Sequence, residues 1–148
     1  MLLQRTRILI ATFWVGSLWT IGYLVAPTLF ATLADRSLAG TIAGSLFRIE
    51  AWVSVVCGLT LLTILWCTAP EARANRLTLL RLVLSMLVCT LIGYFGLQPF
   101  MASIRETSAA AGGMSSDAKM QFGALHGAAS AIFLLQSLLG VALILKSR

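Results

Sequence analysis

Four long apolar runs, separated by short polar segments, dominate the hydropathy pattern of the chain. Each run approaches or exceeds the roughly 20 mostly apolar residues that a helix needs to cross a bilayer. The pattern therefore predicts an all-α integral membrane four-helix bundle, formed by one transmembrane domain over residues 1–148. The predicted spans are residues 8–31, 51–69, 82–104 and 121–145.

The first run follows two basic residues, Arg5 and Arg7, as the apolar part of a secretory signal peptide would. Signal peptides have an apolar part of roughly 7 to 15 residues, and this run is longer. We therefore expect an uncleaved first span, with cleavage near Ala34 as the alternative.

Between the first two spans lies an amphipathic segment, residues 37–50, whose helix could be capped by Asp35 or Ser37. Two arrangements are open: the segment lies in the membrane interface, or it continues into span two as one long helix. Gly40 and Gly44 form a GxxxG pattern, which favours close helix contact but is also common by chance in such a sequence.

Small and polar residues that share one face of span one, and of span four, predict where these helices pack. Small residues let helix backbones approach closely in a membrane. In span three, Pro99 predicts a kink that points the amide of Gln98 into the bundle. The predicted packing residues are Gly16, Thr20, Tyr23 and Pro27 in span one, and Gly123, Gly127, Ser137 and Gly140 in span four.

Composition agrees with a membrane protein, because 59% of the residues are hydrophobic and 11% are charged. The net charge of +6 does not indicate a nucleic-acid partner, since the basic residues are scattered and form no stripe with interleaved aromatic residues. We expect the lipid bilayer as the partner, with a homo-oligomer as a further option. Cysteines without metal-binding spacing lie in the apolar runs and are expected to be buried apolar residues: Cys57, Cys67 and Cys89.

The distribution of Lys and Arg predicts the orientation. Seven lie at the two termini and in the hairpin between spans two and three, against four in the other two loops. Because basic residues favour the cytoplasmic side, both termini are predicted to be cytoplasmic in a multi-pass protein of the inner (plasma) membrane.

This topology places a layer of polar residues at the outer ends of spans two, three and four. Ionisable groups at this depth are costly unless they are paired or face a cavity, so the layer is a candidate ligand site. The alternative is that the charges at residues 48–50 and 105–106 lie at headgroup level and that His126 bonds a backbone carbonyl. The candidate ligand-binding residues are His126, Ser130, Gln98, Arg48 and Glu50.

His126 is the only histidine and is also the candidate metal ligand. Together with Met101, Met114 or Met120, its imidazole could hold haem iron or Cu(I). No catalytic residue is predicted, because the chain has no nucleophile–base–acid arrangement, no phosphate loop and no HExxH motif. We therefore expect a non-enzymatic role.

Two parts of the chain resemble a known family: GYLVAPTLFATL with LAGTIAGSLFRIE, and FGALHGAASAIFLLQSLLG. They are similar to small bacterial membrane proteins that resemble eukaryotic transmembrane protein 205, a family of unknown function. The resemblance implies a four-helix unit and a distant relation to CopD-type copper-resistance proteins and HemJ-type haem-biosynthesis oxidases. A histidine site of those proteins would map to His126. The residues that carry the resemblance are Gly22, Ala26, Pro27, Phe30, Ala39, Gly40, Phe47, Leu125, His126, Gly127 and Ser130.

The expected function is to bind or pass a small ligand at the outer half of the bundle. One alternative is a haem- or copper-binding membrane protein that uses His126. The other is a structural or assembly partner that docks another membrane protein through its GxxxG surface.

Overall fold

The computed structural model describes residues 2–67 and 73–147, with the side chains of all of them except residues 73 and 74. The described residues form six α-helices and two short π-helical segments, and they contain no strand. In chain order the elements are α1 (Leu2–Trp19), π1 (Thr20–Val25), α2 (Ala26–Thr32), α3 (Arg36–Cys67), α4 (Arg73–Thr90), π2 (Leu91–Gly96), α5 (Gln98–Ala110) and α6 (Ser116–Lys146).

These elements form four spans that are long and apolar enough to cross a membrane. They are span one (Leu2–Thr32), span two (Arg36–Cys67), span three (Asn75–Ala110) and span four (Ser116–Lys146). The predicted all-α four-helix membrane bundle is confirmed. In lipid only a helix satisfies its own backbone polar groups within one segment, so each apolar run becomes a helix.

Residues 37–50 lie in the same helix as the second predicted span. α3 continues without a break from Arg36 to Cys67, so this segment is not a separate interfacial helix. Asp35 caps its start, since its Oδ1 atom accepts hydrogen bonds from the backbone N–H groups of Ser37 and Leu38. The predicted end of the span at residue 69 lies outside the described residues, which resume at residue 73 in α4.

The turn between α5 and α6 also follows from local sequence. Gly112 has a φ of +77°, a conformation that residues with a side chain rarely adopt. Ser115 then caps α6, because its Oγ accepts a hydrogen bond from the backbone N–H of Ala118 at 3.2 Å. Asp117 in the first turn of α6 complements the helix dipole.

The four spans form a ring in which each packs against the spans before and after it, and span four closes the ring against span one. Near the ends of the chain, Arg7 Nη2 donates a hydrogen bond to the carbonyl of Ser147 at 3.2 Å. Both termini therefore lie at the same end of the bundle. We call this end the terminal half, and the end that contains residues 33–35 and 111–115 the loop half.

The hydrophobic core lies in the terminal half. Trp14 is fully buried there, and two glycines allow close helix contact. A Cβ atom added to Gly58 would lie 2.5 Å from Leu87, and one added to Gly140 would lie 2.8 Å from Val15. The core residues are Ala11, Trp14, Val15, Cys57, Leu61, Leu65, Leu79, Val83, Met86, Leu87 and Leu143.

Spans one and three are irregular at matching places. Residues 21–23 of π1 read IGY and precede Pro27, whereas residues 92–94 of π2 read IGY and precede Pro99. The first residue after each segment donates its N–H to an isoleucine carbonyl five residues earlier. Proline removes one backbone donor and clashes with the preceding turn, and a π-helical turn is a common way to accommodate such a break.

Candidate functional site

In the loop half the four spans separate into two pairs of helices. There α2 packs on α3, and α5 packs on α6. Among the described residues, no Cα atom of α2 lies within 8 Å of one in α6, and the same holds for α3 and α5. A cavity of about 710 Å³ lies between the two pairs.

Aromatic side chains and glycines form much of the cavity wall. Phe133 of α6 reaches across it and makes edge-to-face contacts with Tyr23 at 5.6 Å and with Phe47 at 5.7 Å between ring centroids. Gly22 makes room for this ring, because an added Cβ there would collide with Phe133. The aromatic residues that line the cavity are Tyr23, Phe30, Phe47, Tyr94, Phe122 and Phe133.

Glu50 borders the cavity at the level where the loop half meets the packed core. It is only 4% exposed. Its Oε1 atom accepts hydrogen bonds from Ser17 Oγ at 3.3 Å and Ser54 Oγ at 3.4 Å. Ser54 Oγ also accepts a 2.7 Å bond from the indole N–H of Trp14, so one carboxylate oxygen is held by spans one and two.

The second carboxylate oxygen of Glu50 has no such support. Its Oε2 atom is buried and has no hydrogen-bond partner among the described residues. A buried polar atom without a partner is costly, and a carboxyl group inside a membrane bundle is costlier still. Glu50 is therefore the clearest chemical feature beside the cavity.

Two further polar contacts at this level connect span four to its neighbours. Gln136 Nε2 donates to Thr90 Oγ1 of span three at 2.9 Å. Tyr23 of span one donates its hydroxyl hydrogen to Ser137 Oγ, also at 2.9 Å. Span four is therefore fixed to both neighbours at the wall of the cavity.

On one side the two helix pairs are bridged by Arg105 of α5. Its Nη1 donates to the carbonyl of Gly40 at 3.2 Å, and its guanidinium lies 5.9 Å from the ring centroid of Phe122. A Cβ atom added to Gly44 would lie 3.5 Å from Gln98 Nε2. The GxxxG pattern therefore faces span three of the same chain and does not form an outer docking surface.

On the other side, between spans one and four, the rim is open. His126 lines the cavity but is exposed, and its ring stacks on Phe122 with a centroid distance of 6.0 Å. Its side chain makes no hydrogen bond to a described residue, so the predicted bond to a backbone carbonyl is absent there. Ser130 Oγ instead donates to the His126 carbonyl at 2.8 Å, within the same helix.

Four of the five predicted ligand-binding residues line this cavity: His126, Ser130, Gln98 and Glu50. Arg48 does not line it and is exposed. The arrangement also differs from the expected one, because Glu50 is deep in the bundle and His126 lies at the rim.

Some of the predicted packing residues lie at helix contacts, and others do not. Tyr23, Ser137 and Gly140 lie at the contact between spans one and four. In contrast, Gly16, Gly123 and Gly127 have no atom within 4 Å of an added Cβ, so they make no close helix contact. Thr20 is exposed and donates to the Gly16 carbonyl, whereas Pro27 lines the cavity.

The donor set for a metal is sparse. Among the described residues, no group of three or more His, Cys, Asp or Glu side chains comes together. Met101 is buried and lines the cavity with His126, but Met114 and Met120 do not line it. The cysteines are unpaired; Cys57 and Cys89 are buried as expected, whereas Cys67 is exposed.

Residues 9–110 match a family described as Domain of unknown function (DUF4149). The chain belongs to this family. The DUF4149 match covers most of span one and all of spans two and three, and thus Glu50, Gln98 and Arg105. His126 and Ser130 lie beyond it. No curated protein and no solved structure matches the chain. DUF4149 membership fits a small family of unknown function, and the finer resemblance to transmembrane protein 205, CopD-type or HemJ-type proteins stays a prediction.

Proposed function

We propose that this DUF4149 protein binds a small, largely apolar molecule in the cavity of the loop half. The observation that carries the proposal is the cavity of about 710 Å³ between the two helix pairs. Sites for small molecules typically have about 300–1,000 Å³, apolar and aromatic walls, and a few polar groups. On the predicted topology, the cavity would lie in the outer leaflet.

The open rim supports entry of the molecule from the bilayer. Phe30 of α2 and His126 of α6 both line the cavity and are exposed, and no bond between described side chains bridges the two helices there. The opposite side is bridged by Arg105. A ligand dissolved in the membrane would therefore reach the aromatic wall between spans one and four.

The irregular helices support a role for this region beyond packing. In membrane transporters, hydrophobic segments that are interrupted by Gly or Pro at corresponding positions often mark the binding site. Here the two IGY segments and their prolines lie in spans one and three, and Gly22, Tyr23, Gly93 and Tyr94 all line the cavity. Passage of the ligand across the membrane is compatible with this arrangement.

A pair of matched variants tests the proposal. Ala129 of α6 lines the cavity, whereas its neighbour Ala128 is exposed and does not. Ala129→Phe should fill part of the cavity, and Ala128→Phe should add the same ring to the lipid-facing surface. The protein in nanodiscs would be labelled with the apolar carbene precursor 3-trifluoromethyl-3-phenyldiazirine and mapped by mass spectrometry.

We expect labelling at Phe47, which is partly buried and lines the cavity. Ala129→Phe should reduce this labelling severalfold, and Ala128→Phe should leave it unchanged. Labelling that is confined to lipid-facing residues, or that responds equally to the two variants, would refute the proposal.

A haem-binding role is the second candidate, because His126 and Met101 line the same cavity. Imidazole and thioether are a known pair of axial haem ligands. The absorption spectrum of protein purified from haem- and metal-replete cells, combined with metal analysis, tests it. A Soret band that His126→Ala removes would support haem binding, and a colourless, metal-free preparation would exclude it.

A further inference from the structure

The unsupported oxygen of Glu50 indicates which chemical class of ligand the cavity would take. Among the described residues, Glu50 receives only the two serine hydroxyls, and both bond to Oε1. No described side chain, basic or otherwise, donates a hydrogen bond to Oε2. An ionised carboxylate in a low-dielectric interior is costly without a counter-ion, so the charged form of Glu50 needs one that the described side chains do not supply.

The aromatic wall is an independent observation that favours a cation. Phe47 lies one turn before Glu50 on α3 and contacts Phe133, which in turn contacts Tyr23. Aromatic faces attract cations, and cages of such rings recognise quaternary ammonium groups. A carboxylate beside this cluster is thus suited to a positively charged group with an apolar body.

Arg105 is the only Arg or Lys among the described residues that line the cavity, and its guanidinium is engaged elsewhere. Arg105 bonds the carbonyl of Gly40, which lies ten residues before Glu50, or roughly 15 Å along the α3 axis. Oε2 itself is covered by protein atoms, so a ligand would reach it after rotation of the Glu50 side chain. Such a rotation would break the two hydrogen bonds that Oε1 accepts, and contacts with the ligand would replace them.

From this geometry we infer that the ligand is a lipophilic organic cation and that Glu50 is its counter-ion. The inference rests on the proposed function, since it assigns the charge of the molecule that the cavity binds. Binding should also depend on pH, because a cation gains from Glu50 only when the carboxyl group is ionised. The other titratable or charged groups that line the cavity are Tyr23, Cys89, Tyr94, Arg105 and His126, and Cys57 lies two turns beyond Glu50 on α3.

Three probes of similar size separate charge from shape: benzyltrimethylammonium, its neutral isostere 2,2-dimethylpropylbenzene, and the anion phenylmethanesulfonate. Equilibrium binding of each radiolabelled probe would be measured on the full chain in nanodiscs, with empty nanodiscs subtracted. The variants are Glu50→Gln and, as a matched control, Glu106→Gln, because Glu106 is exposed and does not line the cavity.

We expect the cation to bind about tenfold more tightly than the neutral isostere, equivalent to about 1.4 kcal/mol. Glu50→Gln should remove this preference, whereas Glu106→Gln should retain it. The affinity of the wild-type protein for the cation should fall as the pH is lowered, and His126→Ala should retain this dependence. If Glu50→Gln does not fold, the test is the pH dependence of the affinity for the cation, measured in the wild-type and His126→Ala proteins.

Equal binding of the cation and its isostere would overturn the inference and leave the proposed cavity function intact. Tighter binding of the anion, or a cation preference that survives Glu50→Gln, would overturn it as well. If none of the three probes binds and the diazirine does not label Phe47, the proposed function fails together with the inference.

Discussion

Replacing Gly140 with alanine should destabilise the bundle, although alanine is the better helix former. A Cβ at this position would lie 2.8 Å from Val15 Cγ2, 3.1 Å from Val15 Cγ1 and 3.5 Å from Met86 Cε. Carbon atoms prefer separations of about 3.5–4.0 Å, so two of the three contacts are too short. Val15 is 2% exposed and cannot move aside, which places the expected overpacking cost at about 1–3 kcal/mol.

Gly127→Ala on the same helix is the matched control. An added Cβ there meets no atom within 4 Å. Both substitutions gain helix propensity of about 1 kcal/mol, so the difference between them isolates the overpacking term. The assay is equilibrium unfolding in bicelles, with Val15→Ala added to Gly140→Ala as a compensating change. The reasoning is refuted if Gly140→Ala is as stable as Gly127→Ala, or if Val15→Ala gives no relief.

Three smaller perturbations follow from the polar contacts. Gln136→Leu and Thr90→Val should each weaken the bundle, because each removes one partner of a buried hydrogen bond. In a double-mutant cycle, the pair should show a coupling of about 0.6–1.7 kcal/mol in the free energy of unfolding. Additive effects would contradict the hydrogen bond. Ser115→Ala should cost about 0.5–2 kcal/mol through the lost cap, with faster hydrogen exchange confined to the first turn of α6. Arg105→Gln should speed exchange in the first turns of α3, because the Gly40 carbonyl loses its bridge to α5; unchanged exchange would show that the bridge does not hold the pairs together.

The number and type of the spans could be predicted from sequence, because lipid leaves an apolar run of this length no alternative to a helix. The extent of span two could not. Residues 37–50 are amphipathic and suit either an interfacial helix or an extension of the span. What distinguishes the two is tertiary contact, since Gly40 and Gly44 face Arg105 and Gln98 of span three.

The separation of Arg48 from the other four candidate residues has a geometric cause. Arg48 and Glu50 have a similar depth in the membrane. Because they are two residues apart on one helix, they are related by about 200° of rotation, and their side chains point to nearly opposite faces. His126 and Ser130 are four residues apart and share a face, and both line the cavity. Combining depth with helical phase would have excluded Arg48.

The paired irregularities are difficult to recognise as a repeat in the sequence. Both contain IGY followed by proline, but Pro27 comes four residues after its tyrosine and Pro99 five residues after the matching one. The unequal spacing hides the similarity. The surroundings of Glu50 are also hard to predict, because one partner of its carboxylate is Ser17 of span one, 33 residues earlier in the sequence.

The cavity follows physically from these two breaks. Before them, α1 and α4 each pack against both neighbours and fill the terminal half with close contacts around Trp14 and Gly140. After them, α2 and α5 each retain one helical neighbour, α3 and α6 respectively. Because α2 and α5 each lose one neighbour at the same level, a cavity remains between the helix pairs, and one side of it is open. Because Glu50 lies where the packing changes, it is covered by the core on one side and borders the cavity on the other, which is where a buried carboxyl group can meet a ligand.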